Sequence, residues 1–379
     1  MLTYTGKYNS ANVMIDDIDE TTVAQIYSFL NHPAFGNTYI AIMPDCHAGA
    51  GAVIGYTAKM NNYVIANLVG VDIGCGIEAF NLGQIEVDFA KLDGFIRENI
   101  PSGFHVRSDK QQIDTNLLEE LPAMIVDICC NIGSDSTRAL KSIGTLGGGN
   151  HFIELDKDAT GNIWLLVHSG SRKFGLDIAG YHQKRAKELM REMFIGAAYK
   201  DLEFLPIDKG GKEYLTDMKV AQRYALMNRY FMVKQIIEEF FKQEYSKLES
   251  VKSVHNYINF SDNILRKGAI SAHEGERVII PLNMRDGTII GTGKGSAKWN
   301  MSAPHGAGRI YSRSRAKREL QLDEFQKEMV GVWSSCVSKD TLDESPMAYK
   351  DKQKIIDAIG ESVTIDFIMK PVYNFKAVE

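Results

Sequence analysis

The sequence predicts an α+β fold in one continuous domain, on three observations. Short apolar runs broken by glycine turns fill Thr38 to Phe80, strongly amphipathic stretches occupy the middle, and a hairpin pattern returns before the end. No Pro- or Ser-rich linker, fixed-period repeat or low-complexity tract divides the 379 residues.

Taken in order, "TYIAIMPDCHAGAGAVIGYTA" and "YVIANLVGVDIGCGIEAF" read as strands joined by functional loops. Helical spacing then strengthens over 86 to 99, over 177 to 194, and most of all over 218 to 249. In that last stretch Val220, Tyr224, Met227, Tyr230, Phe231 and Ile237 form a stripe. This long helix belongs to the part of the chain, about 177–250, that reads as a helical insertion. After it, "SVHNYINF" is a strand, and "ERVIIPLNMRDGTIIGTGKG" is a hairpin turning at Asp286-Gly287. The remainder is helical before a final strand.

A hydrophobic content of 44% suffices for a sizeable core, and a formal charge of −5 means that only a local basic patch would hold a polyanion. The cysteines Cys46, Cys75, Cys129, Cys130 and Cys336 lack the spacing of a disulfide framework or zinc ribbon. A reducing cytoplasm is therefore expected. The N-terminus has no secretory pattern and no apolar run is long enough to span a bilayer, so no membrane partner is expected.

Chemistry concentrates in glycine-flanked loops. His151 follows "GTLGGGN", His168 ends the apolar run "IWLLVH", His255 lies in "SVHNYINF", and Asp72 and Cys75 share the turn "GVDIGCG". One tetrahedral site with an open position needs fewer ligands than a thiolate, a carboxylate and three imidazoles, so the set suggests two metals sharing a ligand. Ligand identity leaves manganese, zinc and iron open. Singly, each residue has a simpler structural reading, as a hydrogen-bonded histidine or a small buried thiol. Their shared setting argues against coincidence.

His305, in "NMSAPHGAGRIYSR", has almost no bulk around it, which suits a ring that faces a ligand rather than a core. After it, Arg309, Arg313, Arg315, Lys317 and Arg318 form a cationic strip, either a phosphate-binding surface or a solvated helix face. Two short matches are decoys. "GTIIGTGKGS" has Gly295 where a phosphate loop needs Ser or Thr, and "KLDG" puts Lys91 on an amphipathic helix rather than in a ligase nucleophile motif.

"MPDCHAGAGAVIG", "GVDIGCG", "GTLGGGNHFIEL", "HSGSR", "HNYINF", "RKGA", "HGAGR" and "DESPMAYKD", in this order over nearly the whole chain, resemble the RtcB family of RNA ligases. The resemblance implies a single RtcB-type domain over 1–379 with mixed or antiparallel sheets around a two-metal site. It also implies two manganese ions, GTP, and the joining of RNA 2′,3′-cyclic phosphate or 3′-phosphate ends to 5′-hydroxyl ends, as in tRNA splicing or RNA repair. An archease-type activator is a further implied partner. By this resemblance His305 is the guanylylated nucleophile; Asp72, Cys75 and His151 hold one metal; and Cys75, His168 and His255 hold the other. Asn150, Glu154, Gly306, Gly308, Tyr349 and Lys376 would contact the nucleotide, with Glu154 and Lys376 complementing the guanine edge. Arg172, Arg309 and Arg313 would contact RNA phosphates.

The chain departs from the family in "PLNMRDG", where Asn283 and Arg285 replace small residues, in Lys173, which replaces a glycine, and in its "AVE" end. Two rivals follow: from "PLNMRDG", a metal-dependent RNA phosphodiesterase without ligation, and from the basic strip, a noncatalytic RNA-binding protein.

Overall fold

A computed structural model describes residues 1–109, 120–193 and 199–377. Two sheets organise it. A six-stranded sheet runs in the order Leu2–Thr5, Ser10–Val13, Ile40–His47, Ile54–Lys59, Ile264–Lys267, Asn256–Asn259. Its pairings are antiparallel except between Ser10–Val13 and Ile40–His47. A seven-stranded antiparallel sheet runs in the order Ser250–Val254, Gly76–Asn81, Ile163–Ser169, Phe152–Lys157, Val363–Lys376, Gly287–Gly293, Arg277–Asn283. Thus the α+β reading with mixed and antiparallel sheets holds.

Because side chains alternate along a strand, the seven-stranded sheet is apolar on both faces. Ile153, Leu155, Leu165 and Val167 pack with Met232, Val233, Ile236 and Ile237 of the long helical segment. Phe152, Trp164 and Leu166 pack on the other side with Ile279, Ile290 and Met369. The hairpin turns where expected, at a Gly287 with φ +90° whose Cβ would stand 1.9 Å from the carbonyl oxygen of Met369.

The long helix is displaced from its expected bounds. It spans Lys212–Gln235 and continues through a wide turn, Ile236–Phe240. Lys242 then takes a left-handed φ of +56°, and the strand Ser250–Val254 follows. Left-handed backbone cannot continue the helix, so the expected extension to 249 fails. The helix expected over 177 to 194 starts earlier, at Arg172, and runs to Glu192; residue 194 lies outside the described residues. "KLDG" lies in the helix Phe89–Asn99, where the exposed Lys91 pairs with the capping residue Asp88 at 3.2 Å. No helix among the described residues is long and apolar enough to cross a membrane.

Candidate functional site

Both sheets and the small pair Ala269–Ser271 and Ser302–Pro304 deliver residues to one cavity of about 730 Å³. At its base, five donor atoms form a continuous line. Asp72 Oδ2 lies 2.9 Å from His151 Nε2, which is 3.5 Å from Cys75 Sγ; that sulfur is 3.2 Å from His168 Nε2, which is 3.3 Å from His255 Nε2. The ligand atoms of Cys75, His151 and His168 all lie within 4.8 Å of one another.

Local structure fixes each of these groups. The Nδ1 atoms of His151 and His168 donate to the carbonyls of Leu146 at 2.8 Å and Asn150 at 3.1 Å, which turns both Nε2 atoms toward the cluster. Asp72 Oδ1 accepts from the Ser171 amide at 2.9 Å, and a side chain at Gly170 would collide with this carboxylate. From the long helix, Arg229 donates to the carbonyls of Gly74 at 2.8 Å and Ser169 at 2.9 Å, beside Cys75 and His168 respectively. Asn228 ties Ser169 and Gly170 to Gly144 and Thr145.

Burial pushes His168 and His255 well below the ordinary histidine range, so both rings are neutral, as ligands must be. Burial opposes ionisation of Asp72, yet the hydrogen bond and charge of His151 hold it below the usual carboxylate range. Burial and the neighbouring Asp72 charge push the Cys75 thiol up. A bound divalent cation would reverse that thiol shift, since coordination favours the thiolate. The donor set and its backbone anchors fit a metal.

His305 stands beside this cluster, its ring centroid 4.8 Å from that of His255. Asp45, fully buried, accepts from His305 Nδ1 at 2.6 Å and from its amide at 3.1 Å. The Nδ1 proton is thereby fixed, and Nε2 keeps its lone pair. Lys350 in turn holds the Asp45 segment through the carbonyls of Pro44 and Cys46. Gly308 is needed for a different reason from ligand access: with φ +75°, its Cβ would lie 2.2 Å from the Asp45 carbonyl oxygen.

Comparison with known proteins then decides the family: the model for tRNA-splicing ligase RtcB matches residues 25–377. The chain belongs to the RtcB family. An RNA-splicing ligase RtcB of Escherichia coli is 30% identical over 89% of this chain and 90% of its own length. A tRNA-splicing ligase RtcB of Pyrobaculum aerophilum is 25% identical over 84% of this chain and 83% of its own.

Within this RtcB fold, the cavity wall also carries Asn150, Glu154, Gly306, Gly308, Tyr349 and Lys376. Lys376, paired in the sequence reading with the guanine edge, donates to the buried Glu344 at 2.7 Å. Glu344 also takes Arg313 at 2.6 Å, Arg309 at 3.3 Å and the Tyr349 hydroxyl at 2.8 Å. Glu344 and Asp45 are the residues that sequence reasoning missed, although both lie inside quoted motifs, "DESPMAYKD" and "MPDCH". Nothing in composition or spacing separates them from ordinary surface acids.

The cationic strip is matched by acids. Arg313 also pairs with Asp343 at 2.7 Å, Lys317 with Asp343 at 3.5 Å, and Arg315 with Glu319 at 2.8 Å. Arg309, Arg313 and Arg315 line the cavity, while Arg172, near enough for its charge to act on Asp72, has its guanidinium under Gly147 and donates to the Gly103 carbonyl. Of the departures, Asn283 lines the cavity and donates to Asp286, Arg285 is held by Asp286 and Glu328, and the exposed Lys173 pairs with Asp177. Residues 378 and 379 of the "AVE" end lie outside the described residues.

Proposed function

We propose that this RtcB-family protein is a GTP-dependent RNA ligase that joins a 3′-phosphate end, or a 2′,3′-cyclic phosphate first hydrolysed to one, to a 5′-hydroxyl end. The observation that carries this reading is His305: one ring nitrogen is held by a buried carboxylate, the other is free, and the ring stands beside a cluster of metal-type ligands.

His305 Nε2 attacks the α-phosphorus of GTP. A P–N bond forms, the bond to the oxygen bridging to the β-phosphate breaks, and pyrophosphate leaves. Asp45 keeps the Nδ1 proton through this step and stabilises the positive charge that develops on the ring. An oxygen of the RNA 3′-phosphate then attacks the same phosphorus, displacing His305 and leaving GMP joined to the RNA end through a diphosphate. Finally the 5′-hydroxyl oxygen attacks the RNA 3′-phosphorus, GMP departs, and the hydroxyl proton is lost.

Asp72, Cys75 and His151 would hold one divalent cation and Cys75, His168 and His255 a second, with the Cys75 thiolate shared; manganese is the cation this reading names. Such ions supply Lewis-acid neutralisation of phosphate oxygens. Glu154 accepts from guanine N1–H and N2–H. Arg309 and Arg313, which line the cavity together with Arg315, would meet RNA phosphates.

Incubation with GTP radiolabelled at the α-phosphate, in the presence of Mn²⁺, tests the reading. Covalent label is expected on the wild type and on Lys91→Ala, and none on His305→Ala. The adduct should be lost in acid and survive mild alkali, as a P–N bond does. RNA opening without label would support the phosphodiesterase instead, and RNA binding with neither would support the noncatalytic binder.

A further inference from the structure

Glu154 has a neighbour that nucleotide recognition does not explain. In the strand Phe152–Lys157, residues 152, 154 and 156 share one face, so Asp156 stands with Phe152 on the apolar side that also carries Trp164, Leu166, Ile290 and Met369. Asp156 is fully buried, and the polar groups beside its carboxylate are the Glu154 carboxyl and the Thr288 hydroxyl. The hydroxyl of Thr288, on the strand Gly287–Gly293, is buried beside Asp156 and favours its ionised form. Glu154 accepts from Asn374 Nδ2 at 2.5 Å.

Two adjacent carboxylates in an apolar layer do not both ionise, so the pair retains a proton. From the strand Val363–Lys376, the charge that faces Glu154 is Lys376, and this is already engaged by Glu344. The strand Ile163–Ser169 opposes the pair with Leu166 and Trp164, which bring no charge. Burial and then the Asp156 charge push Glu154 well above the usual carboxylate range, and burial also raises Asp156.

We infer that Asp156 is a positioning residue for base selection, taking the proton of the shared pair so that Glu154 becomes the anionic acceptor which a guanine edge requires. The inference rests on the guanine reading of the cavity. Before the base arrives, Glu154 carries the proton toward Asp156. Guanine presents donors at N1 and N2, and the proton passes from Glu154 to Asp156 without leaving the protein. Adenine presents an acceptor at N1, which suits a protonated Glu154; by drawing the proton away, Asp156 disfavours that pairing.

Asp156→Asn and Asp156→Val separate this role from a structural one. Asparagine mimics protonated Asp156, because its amide donates to Glu154. Valine fills an apolar layer and removes a buried polar group, so it should fold with undiminished thermal stability. Guanosine and adenosine are the probes, having no phosphate to titrate near neutral pH. Wild type should show the C=O stretch of a protonated carboxyl in its infrared spectrum at neutral pH, and Asp156→Asn should lose it while keeping most of the guanosine preference. In Asp156→Val, guanosine must drive the Glu154 proton into solvent. Its affinity should then fall about tenfold for each unit that pH drops near neutrality, and the preference over adenosine should shrink.

Absence of the protonated-carboxyl band in wild type overturns the inference. So does an Asp156→Val protein whose guanosine affinity is independent of pH and whose preference is intact, or an Asp156→Asn protein that loses preference as fully as the valine variant. If wild type itself binds guanosine no better than adenosine, the guanine reading fails together with the ligand half of this inference, and the infrared band still decides whether the pair shares a proton.

Discussion

Asp45 accepts a 2.6 Å hydrogen bond from His305 Nδ1, and an asparagine there would bring a neutral group that stabilises the charged ring less. Asp45→Asn should slow GMP labelling of His305 about a hundredfold, a size usual for lost acid–base support, while the amount of manganese bound stays unchanged. Cys75→Ala should behave oppositely. Its sulfur lies between His151 Nε2 and His168 Nε2, so removing it breaks the donor line at its centre, and manganese content by elemental analysis should fall together with labelling. A Cys75→Ala protein that still held two manganese ions per chain would exclude the shared thiolate. For base choice, Glu154→Gln should narrow the preference for GTP over ATP more than Lys376→Ala does. Lys376 is committed to Glu344, and an unchanged preference in Glu154→Gln would place the base elsewhere.

At the scale of elements, the long helix holds the cluster in place from behind. Arg229 is buried, forms an ion pair with Glu78 at 3.3 Å and reaches the carbonyls beside Cys75 and His168, so Arg229→Met removes three partners at once. Losing one member of a buried ion pair costs about 3 kcal/mol or more, and some of this should be retained because Lys252 also meets Glu78, at 3.2 Å. Urea unfolding should show the loss, and manganese affinity should weaken in the fraction that stays folded; unaltered manganese affinity would mean that the two carbonyls are held without Arg229. How much of this was legible in the sequence follows from the range of the interactions. The metal-type residues stood out because glycine-rich turns mark them locally, and the helix and hairpin showed in their apolar periods. That the helix would place Arg229 and Asn228 behind those turns is a matter of tertiary packing, which periodicity does not report. The helix end was misplaced because a left-handed Lys242 carries no composition signal, unlike a glycine at such a position.

At the scale of the whole molecule, Glu344 joins the last strand to the segment that follows His305, through Lys376 on one side and Arg309 and Arg313 on the other. Reading the sequence as a basic strip captured the cations and missed the buried acid that gathers them, since nothing near Glu344 in the chain announces its burial. Burial alone would raise its pKa, but the charges of Lys376, Arg313 and Arg309 outweigh that and bring it down to about 2, below the ordinary value of 4.5. A carboxyl whose folded pKa is depressed stabilises the fold fully above its unfolded value and loses that contribution as pH falls toward the folded one. The shift corresponds to roughly 3 kcal/mol, present at neutral pH and lost between about pH 4.5 and pH 2. Wild-type stability measured by urea unfolding should therefore decline through that window, and Glu344→Gln, already lacking the ionisable group, should decline less steeply and start from a lower value at neutral pH. Parallel slopes for the two proteins would show that folding does not depress the Glu344 pKa, and that the last strand is held by its sheet pairing without help from this carboxylate.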